Sequence, residues 1–315
     1  MKIAVLTSGG DGSGTNAYLK NLFDFSSFYK YDLFAVRNGF SGLLANDFYK
    51  LTADLVECIS NVGGTIIGSS RCKEFYNAEN VKKAYNILKK NKIDFLIVLG
   101  GDGSFKGAKE LIELGQKVIC VPVTIDNDLF YTDYSIGYDS ALCTVVDSIE
   151  NIKQTMHALN RGVLVEVMGR DCGILSYNAA LATEADMVLT NEYKLSFEEI
   201  AKNVNFLFDN GKKFPVIVLK EKMIDIRSLT DYLNEKTKVE FRYSILGYVQ
   251  RGSKPSTKDK ILARQFAYLT IQLIKENIIN VAVGIKNNEY FSIDLVDALK
   301  QKDKTKLEIK KFFLN

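Results

Sequence analysis

A hydroxyl and two carboxylates stand close together directly after an apolar run in the middle of the chain. The run, residues 118–121, is typical of a buried strand, and a proline ends it because proline cannot donate a hydrogen bond within a sheet. Thr124, Asp126 and Asp128 follow. Ligands of open α/β sheets bind beyond the carboxyl ends of the strands. The pattern predicts that residues 124–128 deliver two acids to a binding site; an ordinary polar turn is the alternative.

Two glycine-rich loops, residues 9–14 and 100–104, each join an apolar strand to a helix. Glycines let the backbone approach a ligand, and a helix N-terminus favours phosphate. The first loop matches neither the dinucleotide-binding pattern nor the Walker A pattern. In the second loop, a carboxylate beside phosphate requires a cation, so Asp102 predicts a bridging Mg²⁺. A turn with a solvated aspartate is the alternative.

Arginines at loop and strand ends complete this chemistry. Their planar guanidinium groups bind phosphate through two hydrogen bonds, although a single surface arginine more often forms only a weak ion pair. The arginines in question are Arg71, Arg161, Arg170, Arg242 and Arg251. Phosphate-binding loops, a metal-binding carboxylate, cations and an acid pair together meet the needs of phosphoryl transfer. Because the chain has one histidine, the general base is predicted to be a carboxylate.

Composition excludes several other classes. The chain has 315 residues, of which 47% are hydrophobic and 25% charged, as in globular proteins large enough for two lobes. A net charge of +3 does not indicate nucleic-acid binding. No apolar run is long enough for a membrane helix, and the N-terminus lacks the features of a signal peptide. We therefore predict a cytoplasmic protein that binds neither nucleic acid nor membrane.

The elements that position these loops alternate between strands and helices, which predicts an α/β fold with mainly parallel sheets flanked by helices. Two such series suggest two Rossmann-like lobes with the active site in the cleft between them. We assign residues 1–137 and 251–302 to a larger lobe. Residues 138–250 and the tail 303–315 are assigned to a smaller lobe. A short helix is predicted over residues 292–300.

Five sequence blocks together resemble the bacterial-type 6-phosphofructokinase family. They occur in the family's order and spacing, and the similarity extends over residues 2–300. The blocks are Gly9-Gly10-Asp11-x-x-Gly14-x-Asn16, Gly100-Gly101-Asp102-Gly103-Ser104, Thr124-Ile125-Asp126-Asn127-Asp128, Glu166-Val167-Met168-Gly169-Arg170 and Leu246-Gly247-x-x-Gln250-Arg251-Gly252.

The resemblance implies an ATP-dependent kinase that converts fructose 6-phosphate into fructose 1,6-bisphosphate and ADP, the committed step of glycolysis. It implies that Asp126 takes the proton from the sugar's 1-hydroxyl, that Thr124 and Asp128 orient the sugar and the loop, and that Asp102 holds Mg²⁺. Arg71 is placed near the transferred phosphoryl group. The residues implied to surround ATP are Gly10, Arg71, Cys72, Gly101, Asp102, Gly103 and Ser104.

The resemblance also implies that the larger lobe binds the nucleotide and that the smaller lobe binds the sugar phosphate. Arg170 is implied both to hold the sugar and to face the developing charge. Arg161 and Arg242 reach a neighbouring subunit's site in the family, so a homotetramer with shared sugar sites is expected. The full set of implied sugar-binding residues is Thr124, Ile125, Asp126, Arg161, Met168, Gly169, Arg170, Glu221, Arg242, Tyr248 and Arg251.

Several positions depart from the family pattern. Tyr248 replaces a usual histidine that contacts the 6-phosphate, which lowers the expected sugar affinity. Gly103 favours ATP, because pyrophosphate-using relatives typically have aspartate there, whereas Val123 matches neither donor class. A pyrophosphate-dependent enzyme and a non-catalytic sugar-phosphate-binding subunit are the alternatives. NAD and lipid kinases, which also use a Gly-Gly-Asp-Gly loop, are disfavoured by the remaining blocks.

Allosteric control by ADP or phosphoenolpyruvate is expected to be weak or absent. The resemblance implies an effector site lined by several cations, and this chain keeps three of them, namely Lys20, Lys153 and Lys212. Asp24 and Ala53, however, stand where arginines are usual, and Asn210 stands where a lysine is usual. Fewer cations and one added carboxylate weaken anion binding.

Overall fold

The computed structural model describes residues 1–301. The described chain divides into two compact units, one formed by Met1–Ser140 with residues 251–301, and the other by Ala141–Gln250. The predicted assignment of residues 303–315 to the smaller lobe lies outside the described residues. Across residues 1–301, no helix combines the length and apolar character needed to cross a membrane.

The strands follow the buried apolar runs of the sequence. They are β1 (Lys2–Ser8), β2 (Asp32–Val36), β3 (Phe48–Lys50), β4 (Ser69–Ser70), β5 (Phe95–Gly100), β6 (Lys117–Pro122), β7 (Gly162–Val167), β8 (Met187–Leu189), β9 (Val216–Lys220), β10 (Phe241–Ile245), β11 (Val281–Lys286) and β12 (Glu289–Asp294).

Helices connect most of these strands. They are α1 (Thr15–Phe28), α2 (Gly39–Leu44), α3 (Ala53–Val56), α4 (Ala78–Lys90), α5 (Asp102–Glu113), α6 (Tyr138–Leu159), α7 (Ile174–Ala182), α8 (Phe197–Asp209), α9 (Ile226–Lys236), α10 (Thr257–Lys275) and α11 (Leu295–Lys300), with shorter helical turns at Ile59–Asn61, Lys73–Tyr76 and Gly247–Gln250.

The sheet of the larger unit runs in the order β12-β11-β6-β5-β1-β2-β3, and β4 pairs with β1. Its central strands are parallel, with Thr7 opposite Leu99 and Leu99 opposite Val121. Alternate residues of β1 enter two hydrophobic cores, since Ile3 packs into one and Ala4 into the other. Burial on both faces is expected for a parallel sheet covered by helices. The loops after β1, β5 and β6 consequently leave from the same edge.

The second unit contains a parallel sheet in the order β10-β7-β9-β8. Ile245 lies opposite Glu166, and Glu166 lies opposite Leu219, so β10, β7 and β9 end at a common edge. The predicted α/β class with mainly parallel, helix-flanked sheets is confirmed.

The helix predicted over residues 292–300 was partly wrong. Strand β12 pairs antiparallel with β11 as far as Asp294, and only the last part of the predicted segment is helical. The Asp294 carboxylate accepts hydrogen bonds from the N–H groups of Val296 and Asp297 and so begins α11 at Leu295. Pairing with a distant strand therefore overrode the local helical pattern.

Candidate active site

The first glycine loop of the larger unit is fastened to the short strand β4. Ser69 Oγ donates a hydrogen bond to the Gly9 carbonyl at 2.9 Å, and the Gly9 N–H donates to the Ser70 carbonyl at 3.2 Å. This pairing brings Arg71 and Cys72 to the edge where β1 ends. Arg71 is exposed and Cys72 is half-buried. The two residues predicted near the donor phosphates therefore adjoin the first glycine loop.

The two glycine loops lie side by side. Ser104 Oγ donates a hydrogen bond to the Ser8 carbonyl at 3.0 Å, and it would lie 3.6 Å from a Cβ built on Gly9. Within residues 1–301, neither α1 nor α5 carries a side-chain cap at its N-terminus. The start of α5 at Asp102 and Gly103 is half-buried, whereas the start of α1 is buried and its Thr15 N–H donates to the Gly12 carbonyl at 3.2 Å. The N-terminus of α5 is therefore the one that can present N–H groups to a phosphate beside the first glycine loop.

Asp102 is the first residue of α5, and its carboxylate lies 2.6 Å from Lys106 Nζ. Residues 1–301 contain no cluster of three or more His, Cys, Asp or Glu side chains suited to a metal ion. Mg²⁺ commonly binds through one or two carboxylates together with substrate phosphates and water. A single carboxylate beside a phosphate-accepting helix end fits that mode.

The loop at residues 124–128 adjoins the Asp102 loop. A Cβ built on Gly101 would lie 3.6 Å from the Cβ of Thr124. The Asp126 N–H donates a hydrogen bond to Thr124 Oγ1 at 3.1 Å, which is a tight local turn. The turn thereby places Asp126 and Asp128 beyond the end of β6. Thr124, Asp126 and Asp128 are all half-buried, as expected for groups lining a site.

A second layer of contacts holds this loop in shape. Asn127 has a left-handed backbone with φ 49°, and its Oδ1 accepts hydrogen bonds from the N–H and Oγ of Ser135 at 2.9 and 3.0 Å. Ser135 Oγ also lies 2.7 Å from the Thr124 carbonyl. Asparagine tolerates the left-handed region better than most residues. The buried Asn127 therefore fixes the path of the chain between the two aspartates.

Arg251 lies beside the first glycine loop. Its guanidinium Nη1 would be 2.9 Å from a Cβ built on Gly10. Ser13 Oγ donates to the carbonyl groups of Arg251 at 3.1 Å and Ser253 at 2.5 Å. The residue predicted to bind the sugar's 6-phosphate is thus adjacent to the loop predicted to bind the donor.

The second unit brings two of the sequence blocks together at the ends of β7 and β10. The buried Gln250 accepts a hydrogen bond from the Met168 N–H at 3.1 Å, and the Leu246 N–H donates to the Glu166 carbonyl at 3.1 Å. From β9, Glu221 Oε1 accepts the Arg170 N–H at 3.2 Å. Met168, Gly169, Arg170 and Glu221 therefore form one cluster at the edge of the sheet.

Burial and, after it, the neighbouring Glu221 carboxylate raise the pKa of Glu166, whereas the charges of Lys220 and Lys222 lower it. The net shift of this pKa is upward, so Glu166 keeps its proton to a higher pH than an exposed glutamate does.

Two further predicted arginines meet at one carboxylate. Arg161 Nε lies 2.9 Å from one oxygen of Glu240, and Arg242 Nη2 lies 2.5 Å from the other. Tyr248 lies in the helical turn after β10 and is 80% exposed. Glu240, which the sequence patterns did not single out, forms ion pairs with both arginines.

Sequence reasoning missed two other residues at these edges. Asp259 is buried at the start of α10, where its carboxylate accepts hydrogen bonds from the N–H and Oγ of Ser140 at 2.8 and 2.5 Å. Lys220 is buried at the end of β9. The available signals were an acid three residues after the capping Ser256 and a lysine closing an apolar strand. Neither signal reveals the long-range contact.

The family model described as Phosphofructokinase matches residues 2–274. The ATP-dependent 6-phosphofructokinase of Clostridioides difficile is 40% identical over 300 residues, which cover 95% of this chain and 94% of that protein. No single motif carries this match, since it spans both units.

Solved structures show the same fold. The phosphofructokinase of Saccharomyces cerevisiae aligns with a TM-score of 0.86 and 30% identity over 95% of this chain, which spans only 45% of the yeast chain. The pyrophosphate-dependent phosphofructokinase of Marinobacter aquaeolei aligns with a TM-score of 0.87 over 97% of this chain and 86% of that one, but at 20% identity this likeness concerns the fold alone. The family match and the 40% identity to a full-length relative show that the chain belongs to the phosphofructokinase family.

Proposed function

We propose that this chain is an ATP-dependent 6-phosphofructokinase that transfers the γ-phosphoryl group of ATP to the 1-hydroxyl of fructose 6-phosphate. The products are fructose 1,6-bisphosphate and ADP, as in the committed step of glycolysis. The observation that carries the proposal is the adjacency of the Asp102 loop and the Asp126 loop at the ends of two paired parallel strands. The name of the Clostridioides difficile relative supports the choice of ATP.

We assign Asp126 as the general base. As the sugar's 1-hydroxyl oxygen attacks the γ-phosphorus, Asp126 takes the hydroxyl proton, and the bond from the γ-phosphorus to the bridging oxygen of ADP breaks. Thr124 Oγ1 fixes the Asp126 N–H and so limits the directions open to the carboxylate. Asp128 is assigned to orient the loop and the sugar. Positioning of this kind is the main contribution of proteins to phosphoryl transfer.

The donor phosphates are assigned to the first glycine loop, at Gly10, and to the N-terminus of α5. Arg71 adds positive charge near the transferred group, and Cys72 and Ser104 line the same edge. Mg²⁺ held by Asp102 and the phosphate oxygens would neutralise charge on the donor. Lys106 Nζ lies 2.6 Å from the same carboxylate, so Mg²⁺ would share Asp102 with an exposed lysine or displace it.

The sugar phosphate is assigned to residues from several segments. Met168, Gly169 and Glu221 would contact the sugar, and Arg170 would also face the charge that develops during transfer. The remaining assigned contacts are Ile125, Arg161, Arg242, Tyr248 and Arg251. The half-exposed Arg161 and Arg242 would exchange part of their bonding to Glu240 for the anionic ligand.

A homotetramer with shared sugar sites remains part of the proposal. Strand β10 is an edge strand of its sheet, and its Tyr243 and Ile245 side chains are 38% and 54% exposed. Exposed apolar side chains on an edge strand favour coverage by another chain. Sedimentation analysis of the purified protein should give a mass of four chains. We also propose a cytoplasmic location, where both charged substrates are available.

A coupled assay with fructose 6-phosphate tests the activity directly. ATP with Mg²⁺ should support turnover, pyrophosphate should support little, and removal of Mg²⁺ should abolish the reaction. Turnover with pyrophosphate alone would assign the chain to the other donor class. No turnover with either donor would favour a non-catalytic sugar-phosphate-binding subunit.

A further inference from the structure

A lysine at the end of β9 is buried although lysines are almost never fully buried. Lys220 is 3% exposed, and it follows four apolar residues of the strand. Burying an ammonium group is costly unless the charge is hydrogen-bonded. The partners of Lys220 therefore indicate what the position requires.

Those partners are backbone carbonyl groups of the loops that follow β7 and β9. Lys220 Nζ donates a short hydrogen bond to the Arg170 carbonyl and another, of 2.7 Å, to the Glu221 carbonyl. The aliphatic stem packs on Gly169, where an added Cβ would lie 3.2 Å from Lys220 Cγ. The side chain thus lies beneath the turn formed by residues 168–170.

Arg170 has an unfavourable backbone conformation that these contacts stabilise. Its φ of 52° lies in the left-handed region, which residues other than glycine rarely adopt without support. The Arg170 N–H donates to Glu221 Oε1 at 3.2 Å, and the Arg170 carbonyl accepts from Lys220. The Glu221 N–H in turn donates to the Val167 carbonyl at 2.7 Å. Both backbone polar groups of Arg170 are therefore held from the end of β9.

We propose that Lys220 is a positioning residue that fixes the backbone of Arg170, so that the guanidinium group is presented to the sugar phosphate. A lysine suits this task because one ammonium group can donate to two carbonyl oxygens at once. The charge-assisted bonds are stronger than those of a neutral donor. Lys220 is not itself a catalytic residue. The proposal rests on the proposed function only through the role given to Arg170.

The charged surroundings supply a matched control. Glu166, Glu221 and the exposed Lys222 lie near the same turn, and the charges of Lys220 and Lys222 both act on Glu166. Lys220→Met removes the ammonium group and keeps the length of the stem. Lys222→Met removes a nearby positive charge without removing the carbonyl hydrogen bonds. The pair separates local hydrogen bonding from general electrostatics.

Two readouts test the proposal in the full-length protein. Amide hydrogen exchange at residues 168–171 should become faster in Lys220→Met and remain unchanged in Lys222→Met. In steady-state kinetics, Lys220→Met should raise the KM for fructose 6-phosphate about tenfold or more and lower kcat, because small displacements of a positioning group have large effects. The KM for ATP should stay within about twofold, since its assigned contacts lie elsewhere.

Unchanged exchange at residues 168–171 in Lys220→Met, or equal losses for sugar and ATP, would overturn the proposal. Lys220→Gln provides a second variant if the methionine variant does not fold, since its amide can still donate to one carbonyl. It should show a smaller change of the same kind, and wild-type exchange and sugar KM in Lys220→Gln would also overturn the proposal. If the parent protein does not phosphorylate fructose 6-phosphate, the proposed function fails, while the exchange measurement still decides the role of Lys220.

Discussion

The guanidinium group of Arg251 lies in the space that a side chain at position 10 would need. Its Nη1, Cζ and Nη2 atoms would be 2.9, 3.1 and 3.3 Å from a Cβ built on Gly10. The lack of a side chain at Gly10 therefore leaves room for the guanidinium group of Arg251, which is distant in sequence. Under the proposed assignment, a glycine that lies next to the phosphoryl donor is thus in contact with an arginine that binds the sugar phosphate.

Gly10→Ala should displace Arg251 and weaken the binding of fructose 6-phosphate. Because the nearest atoms are the end of a flexible side chain, the fold should adapt, with a change in the free energy of unfolding within about 1 kcal/mol. We expect the KM for fructose 6-phosphate to rise severalfold. Steady-state kinetics and thermal unfolding measure the two effects separately.

A double-mutant cycle with Arg251→Gln checks the cause. If Gly10→Ala acts through Arg251, it should have little further effect on sugar affinity in the Arg251→Gln background. Additive losses would show that alanine at position 10 acts directly on the donor phosphates instead.

Asp126→Asn should abolish general base catalysis while leaving the loop folded. The backbone N–H of residue 126 donates to Thr124 Oγ1, and this contact does not involve the carboxylate. A typical loss of general base catalysis lowers the rate by about 10²–10⁴-fold. We expect kcat to fall by at least that amount with nearly unchanged KM for ATP. Near-normal turnover would contradict the role given to Asp126.

The buried Asp259 should give the stability of the protein a characteristic pH dependence. Burial raises the pKa of its carboxyl to about 6, although hydrogen bonds from Ser140 oppose the shift. The folded protein therefore binds this proton more tightly than the unfolded chain does. The stabilising contribution of the protonated group is complete below about pH 4 and is lost as the pH rises through about 6.

Asp259→Asn should consequently gain stability relative to the parent as the pH rises from about 4 to 7. The shift from 3.8 to about 6 corresponds to roughly 3 kcal/mol at neutral pH. Chemical denaturation at several pH values measures the difference in the free energy of unfolding between variant and parent.

Asp225→Asn is a control of opposite sign, because hydrogen bonds from Ser228 lower the pKa of the exposed Asp225. Asp225→Asn should lower the free energy of unfolding at pH values above the carboxyl's unfolded pKa. This loss should disappear as the pH falls through the lower folded pKa. A pH-independent difference for Asp259→Asn would contradict the assignment.

Local sequence patterns predicted much of the larger unit's edge, because each of its loops directly follows an apolar strand. The glycine loops and residues 124–128 were recognisable from residue type and order alone. The contacts that hold them were not, since Ser135, Arg251 and Asp259 approach from other segments. Pairwise contacts of this kind depend on the tertiary arrangement and leave no periodic signal.

The same distinction explains the wrong prediction at residues 292–300. The last turns are helical, as their apolar spacing indicates, but the preceding residues satisfy their backbone groups by pairing with β11. Lys220 is a comparable case, because a lysine at a strand end usually reaches solvent. Its burial becomes intelligible only when the carbonyl groups of the neighbouring turn are known.

ADP should produce little activation of this protein. The lysines at the positions implied for an effector site already bind carboxylates: Lys20 Nζ lies 2.5 Å from Asp24, Lys153 Nζ lies 2.9 Å from Glu150, and Lys212 Nζ lies 2.9 Å from Asp186. An anion would have to compete with these partners. We expect fructose 6-phosphate saturation curves to keep their shape when ADP is added.

Asp24→Arg supplies the matching gain-of-response variant. It removes the carboxylate from Lys20 and adds a cation one turn further along the same face of α1. Activation by ADP in the variant but not in the parent would support this explanation. A change from sigmoidal to hyperbolic saturation in the parent would contradict it.

Gly103 should determine the choice of phosphoryl donor. Apart from its chain neighbours and the backbone of its own helix, no atom of the described residues lies within 4 Å of a Cβ built on Gly103, so there is space for a side chain. Gly103 is in the first turn of α5, where an added carboxylate also suits the helix dipole. Gly103→Asp should therefore fold normally but repel the α-phosphate of ATP. Because two like charges at close range cost several kcal/mol in a partly dry site, the KM for ATP should rise about tenfold or more.

Gly103→Ala, which adds bulk without charge, should keep a KM for ATP near that of the parent. Assays of all three proteins with ATP and with pyrophosphate separate the two effects, and equal losses in the alanine and aspartate variants would show that space rather than charge selects the donor.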